Sequence, residues 1–319
     1  MDLCFWASIF YLLFLSLLSS NDGFIRMSQI TIGLALGSGG AKGLAHIGVI
    51  KTLEKYDIPI DFIAGSSIGA LVGAYYSSHK DSKSLEDIAL GFNKRKGFSL
   101  FDLSFRGGFI KGKKIESFIG ELLDKESFDK LLIPFSAVAT DFITAEPVII
   151  NSGNLTQAVR ASISVPSFFQ PLSVQGRLLA DGGLSNPVPV EVVRKMGADI
   201  VIAVNLDNSY LEDHESNDTG LSLAELPLYS VNILRYHLAL HSAKTADLVI
   251  SPNVYLRGII GWNDFFDTVR AKEIIKVGEE ATEKIIPDIQ KLIRERQAGN
   301  GVRGFIPQLS ALFKRIKIS

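Results

Sequence analysis

Short apolar runs alternate along this chain with longer segments in which apolar residues return every three or four positions, which is the rhythm of buried strands separated by helices. Residues 30–36 form the first run, mostly apolar with β-branched members, and predict a buried parallel strand. Leu44, Ile47, Val49, Ile50 and Leu53 then mark an amphipathic helix to about Tyr56. A second apolar run ends at Gly65, and a small-residue helix follows to about Ser78. Helical patterns recur over 85–96, 115–123, 155–162, 190–196, 222–246 and 268–296, with Pro287 as a point where the last would kink. Strands are expected over 135–140, 146–150, 178–180, 200–206 and 248–251, and a proline-bounded apolar loop over 164–171. One α/β domain with terminal additions is the simplest division of 319 residues.

Composition narrows the partners more than the chemistry. With 33 Lys+Arg against 34 Asp+Glu the charge is balanced, so nucleic acid is not indicated as a partner. The single cysteine, Cys4, rules out an intramolecular disulfide and a thiolate cluster, which suits a reducing, cytoplasmic setting. No metal site is expected. Residues 3–18 form an apolar run that reads as a membrane anchor, as sequence upstream of a true start at Met27, or as a secretory signal lacking its positive flank. The stretch 97–114 is loop-like and basic, with Arg106, Lys111, Lys113 and Lys114, and reads as a solvated face or a lipid-headgroup contact. Residues 207–221 are polar and acidic. In the tail, Leu309, Leu312, Phe313 and Ile316 oppose Lys314, Arg315 and Lys317 at helical spacing, a pattern that lies on a membrane surface or docks on its own domain.

Chemistry concentrates in three glycine-bearing stretches. Gly65-Ser66-Ser67-Ile68-Gly69 stands between an apolar run and a helix, as a nucleophile elbow requires, with Ser67 as candidate nucleophile. Gly37-Ser38-Gly39-Gly40-Ala41-Lys42-Gly43 fails both phosphate-loop patterns, because Gly43 follows Lys42 and because Lys42 occupies a position that needs glycine. That loop does supply backbone N–H groups at a helix N-terminus, the donor array of an oxyanion hole, and Lys42 is expected to face solvent. Asp181, followed by Gly182 and Gly183, reads either as an ordinary turn aspartate or as a catalytic carboxylate. A serine needs a base, and none of the five histidines, His46, His79, His214, His237 and His241, follows a late strand as a triad histidine would. A carboxylate base remains, and Asp181 is the best placed; desolvation would raise its basicity.

These three stretches, in this order and with Pro166-Ser167-Phe168-Phe169-Gln170-Pro171 between the second and third, resemble the patatin-like phospholipase family, especially its bacterial members. The likeness covers about 30–207. It implies a three-layer α/β/α sandwich with a mostly parallel central sheet, and a serine lipid acyl hydrolase without cofactor acting on lipid at a membrane surface. Carried over by motif, it implies Ser67 as nucleophile, Asp181 as base and the N–H groups of Gly39 and Gly40 as oxyanion hole, framed by Gly37, Gly43, Gly65, Gly69, Gly182 and Gly183. Ser38 stands where the family's loop has its first glycine. The expected division is an apolar segment 1–27, a catalytic domain 28–252 and a helical extension 253–319. Two rivals remain: a Ser–His–Asp esterase using His237 or His241, and a membrane-docked binding protein whose site is vestigial.

Overall fold

The computed structural model describes residues 30–91, 112–124, 127–166, 168–208, 226–256 and 262–316. The apolar run 3–18, most of the basic stretch 97–114, most of the acidic stretch 207–221 and the side chains of the tail lie outside the described residues. Thr31–Ile289 forms one compact unit. The stretch from Gln290 on belongs to a second unit, where Lys291 and Glu295 pair at helical spacing, 4.0 Å apart.

The first unit is built on an eight-stranded sheet of β1 (Ile32–Leu36), β2 (Phe62–Ser66), β3 (Phe135–Asp141), β4 (Pro147–Ile150), β5 (Leu172–Val174), β6 (Arg177–Asp181), β7 (Ile200–Val204) and β8 (Leu248–Ile250). Strands β3, β2, β1, β7 and β8 lie side by side and parallel, while β4 and β6 pair antiparallel with β3 and β5 pairs antiparallel with β6. Every residue of β1 and β7 is buried, as a strand covered on both faces requires. Period-two alternation sends Gly33 and Ala35 of β1 to one face and Leu34 and Leu36 to the other. On the first face helix α6 (Val190–Met196) sits directly on the sheet: a Cβ at Gly33 would lie 2.0 Å from Val193 Cγ1. Val190, Val192 and Val193 join Ala35, Ala64, Val138, Val201 and Ala203 in one core with Ala239 and Ala243 of α7 (Leu226–Ala243).

Helix α1 (Leu44–Lys55) follows β1, helices α2 (Ile68–His79), α3 (Ser82–Gly91) and α4 (Lys113–Leu123) come between β2 and β3, α5 (Leu155–Ser162) follows β4, and α8 (Trp262–Phe265) and α9 (Thr268–Ile316) close the order. Helix α1 is buried almost all round, not on one stripe, because α9 crosses it at backbone distance: a Cβ at Gly48 would lie 2.0 Å from Ile275 O, and one at Gly278 would lie 2.1 Å from Ala45 O. Lys51 and Lys55 seal that crossing with ion pairs to Glu279 and Glu283. Helix α9 continues through Pro287 without a break, with buried Ile286 and Ile289 on either side. Strand β5 was hidden by its brevity, three residues of which none is fully buried. Among the described residues no helix is long and apolar enough to cross a membrane.

Candidate active site

Ser67 is the residue between the last position of β2 and the first of α2, and its backbone has φ 55° and ψ −123°. A side-chain-bearing residue held there stores strain of about 1–3 kcal/mol, which persists only where neighbours fix it. Gly65 and Gly69 are those neighbours. A Cβ at Gly65 would lie 2.3 Å from Gly69 O, and a Cβ at Gly69 would lie 2.2 Å from Leu36 O, so strand, helix start and β1 pack with no room for a side chain. Ser162, from the end of α5, completes the clamp: its Oγ accepts the Ser67 N–H at 2.9 Å and donates to Val138 O at 2.5 Å.

The register of β3 explains how Asp181 reaches Ser67 from 114 residues away. Ala137 and Val138 pair with both β2 and β4, and Ala139 and Thr140 pair with both β4 and β6. A strand has two edges, so β4 takes one and β2 and β6 share the other. Strand β2 stops at Ser66 opposite Val138, and β6, running the other way, stops at Asp181 opposite Ala139. Their carboxyl ends therefore meet head-on. Ser67 Oγ donates to Asp181 Oδ2 at 2.5 Å, and Asp181 Oδ1 accepts from the N–H of Gly183 at 2.8 Å. Thr140 fixes the strand end, with Oγ1 donating to Asp181 O at 2.8 Å.

The glycine loop joins the same place. Gly37 N–H donates to Val204 O at 3.1 Å and Ser38 N–H to Pro187 O at 2.8 Å. The turn Gly40–Gly43 then leans on the elbow helix, where a Cβ at Gly43 would lie 2.2 Å from Ile68 Cγ1. Among the described residues the N–H groups of Gly39 and Gly40 have no acceptor. Ser38 Oγ is buried and has no partner there, and it lies 2.9 Å from where a Cβ at Gly183 would be, so the glycine loop and the Asp181 turn are in contact. Lys42, expected to face solvent, is buried with 7% exposure, because its turn is folded into the body between α1 and α2.

Burial pushes the Asp181 carboxyl up to about 6, against the pull of the Ser67 hydroxyl, the Gly183 N–H and the Arg235 charge. Arg235 of α7 forks onto Asp207, with Nε at 3.1 and 3.0 Å and Nη2 at 2.8 Å. The two charges act on Asp181 with opposite sign. Of the described histidines none is bonded to Ser67. His79 is bonded to Tyr75 O at 3.0 Å within α2, His237 and His241 are exposed on α7, and His46 is bonded to Gly37 O. Ser162, Thr140, Asp207 and Arg235 escaped the sequence reading. Only Asp207, an acid closing an apolar strand as Asp181 does, carried a local signal. No cluster of His, Cys, Asp and Glu among the described residues could hold a metal ion.

The family model described as Patatin-like phospholipase matches residues 34–194, just over half of the chain. An uncharacterized NTE family protein of Mycobacterium bovis is 39% identical over 183 residues, covering 57% of this chain and 51% of that protein, so the chain spans about half the length of that relative. Lysophospholipase NTE1 of Scheffersomyces stipitis is 32% identical over 59% of this chain and 13% of its own length. Patatin-like phospholipase domain-containing protein 6 of Homo sapiens is 31% identical over 63% of this chain and 15% of its own length. The crystal structure of VipD from Legionella pneumophila aligns with 82% of this chain and 67% of that chain at TM-score 0.44 and 13% identity. The match of the family model, spanning both the elbow and the Asp181 turn, means that this chain belongs to the patatin-like phospholipase family.

Proposed function

We propose that the chain is a serine lipid acyl hydrolase of the phospholipase A or lysophospholipase type, working through a Ser67–Asp181 dyad. The observation that carries this reading is the 2.5 Å hydrogen bond from Ser67 Oγ to a buried Asp181 carboxylate, with Ser67 held at φ 55°. Asp181 Oδ2 takes the hydroxyl proton as Oγ attacks the ester carbonyl carbon. The N–H groups of Gly39 and Gly40 hold the oxyanion that forms, and each such donor is worth about 3 kcal/mol of transition-state stabilisation. Asp181 then protonates the departing alkoxide, leaving an acyl-serine. Water attacks that ester, Asp181 accepts its proton, and the proton returns to Ser67 Oγ as the fatty acid leaves.

Exposed apolar side chains after β3 and after the Asp181 turn suit substrate drawn from a lipid layer. Phe142 and Ile143, directly after β3, are 51% and 77% exposed, and Leu184, after the Asp181 turn, is 37% exposed. Apolar side chains left in water are favoured contacts for acyl chains. The names of the relatives, lysophospholipase and phospholipase, point to the same substrate class. The test is a panel of phospholipids, lysophospholipids, neutral lipids and thioesters offered both as vesicles and as detergent-dispersed monomers, together with fluorophosphonate labelling. The expected outcome is hydrolysis of vesicle lipid and labelling of Ser67, both abolished in Ser67→Ala. Full activity in Ser67→Ala sinks the dyad, and turnover of monomers alone sinks the lipid-surface part.

A further inference from the structure

We propose that His46 is a positioning residue for the oxyanion hole, its neutral imidazole locking the peptide that precedes the two donor N–H groups. Among the described histidines His46 is the buried one, with 0% exposure, and its Nε2 lies 2.8 Å from Gly37 O. A carbonyl oxygen only accepts, so the proton sits on Nε2 and that nitrogen donates. In a neutral ring this leaves Nδ1 bare, and Nδ1 is buried without a partner, a tolerable state for a weak acceptor but a costly one for a second N–H. Burial holds the ring's pKa down to about 4, so it stays neutral under working conditions.

The consequence lies in the order of bonds along the loop. The peptide joining Gly37 to Ser38 is gripped on both edges, its carbonyl by His46 and its N–H by Pro187 O at 2.8 Å. The N–H before it, on Gly37, goes to Val204 O, and the next two, on Gly39 and Gly40, have no acceptor among the described residues. His46 thus fixes the plane of the last bonded peptide before the donors begin. Its own helix cannot drift, because Gly48 and Gly278 bring α1 and α9 to backbone contact. Preorganised donors stabilise a developing charge because they need not reorient during the reaction, so releasing one edge of that peptide spends binding on reordering the loop.

This rests on reading Gly39 and Gly40 as oxyanion donors. His46→Phe keeps a ring and removes the N–H, and His46→Gln restores a donor near the Nε2 position. Expected for His46→Phe is a roughly tenfold fall in kcat with KM within about twofold, and an equal rise in the inhibition constant of an alkyl trifluoromethyl ketone, whose hemiketal oxygen mimics the oxyanion. Expected for His46→Gln is recovery to within roughly threefold of the wild type. Unchanged kcat in a folded His46→Phe overturns the proposal, as does equal loss in both variants without any change in ketone inhibition. Should neither variant fold, nitrogen-15 spectra of the wild-type imidazole decide: an Nε2–H tautomer supports the proposal, and an Nδ1–H tautomer overturns it. Absence of any fluorophosphonate labelling in the wild type would instead strike the parent reading, before His46 is touched.

Discussion

Asp141 and Asp181 close two paired strands of one sheet, and each folds a carboxylate oxygen back onto the backbone N–H two residues on, yet the two acids are tuned in opposite directions. Asp141 Oδ1 accepts from Ile143 N–H at 3.0 Å and from Thr144 N–H at 3.2 Å, and these donors hold its carboxyl below the usual carboxylate range. Asp181 Oδ1 accepts from Gly183 N–H at 2.8 Å, yet burial outweighs that bond and lifts its carboxyl to about 6. After Asp141 the chain turns outward through exposed Phe142 and Ile143; after Asp181 it turns inward through buried Gly182 and Gly183. The same Asp-turn chemistry thus yields a stable anion in one place and a base in the other. What decides is the balance at each carboxyl: two backbone donors outweigh burial at Asp141, burial outweighs its donors at Asp181, and Asp181 alone has the hydroxyl of Ser67 opposite.

The largest effect should come from neutralising each acid in turn. Asp181→Asn keeps the shape and removes the base, so kcat is expected to fall roughly a thousandfold, whereas Asp141→Asn should stay within about threefold of the wild type. In the wild type, activity requires the Asp181 anion, so the acid limb of the pH–rate profile should rise through about pH 6 and level off above it. Asp141→Asn should leave that limb in place. Equal losses in the two variants, or an acid limb near pH 4, would break the contrast.

The sequence made part of this contrast visible and concealed the rest for physical reasons. Gly65, Gly69 and Gly182 mark close approach of backbone, which no other residue permits, so the elbow and the Asp181 turn were legible as local patterns. The order of the parallel strands and the helices between them was legible as well, because buried parallel strands read as unbroken apolar runs, whereas the short antiparallel β5 was not. The head-on meeting of β2 and β6 was not, because it depends on register along β3, which no local pattern encodes. Ser162 and Thr140 are short hydroxyl side chains of common types, and their roles exist only once that junction forms. Lys42 misled through its charge: the loop around it is buried for reasons set by α1 and α2.

Ser162 offers a smaller perturbation that separates the nucleophile from the base. Removing its hydroxyl leaves the buried Ser67 N–H and Val138 O without their shared partner, at a cost of about 1–3 kcal/mol in stability. With the strained turn less firmly held, kcat for Ser162→Ala should fall roughly tenfold. Because Asp181 is untouched, the acid limb should remain near pH 6. A limb displaced by a full unit would mean that Ser162 tunes the acid and does not simply position the serine.

The smallest effect concerns stability, and here the two acids should oppose each other. The folded-state pKa of Asp181, about 6, lies above the 3.8 of a free aspartate, so between those values the folded state binds more protons than the unfolded one and stability falls as pH rises. Above pH 6 the buried anion costs stability, up to about 3 kcal/mol for a shift of this size. Asp181→Asn removes that cost but buries an amide in place of one acceptor, so a net gain of about 1 kcal/mol is expected at pH 8, fading below pH 6. Asp141, with its pKa lowered, contributes stability that is present above the unfolded value and lost in acid, so Asp141→Asn should lower the melting temperature at pH 8. Thermal melts of both variants at pH 4 and pH 8 read this directly. A site that the fold pays to keep charged would melt later once neutralised, and an ordinary turn aspartate would not.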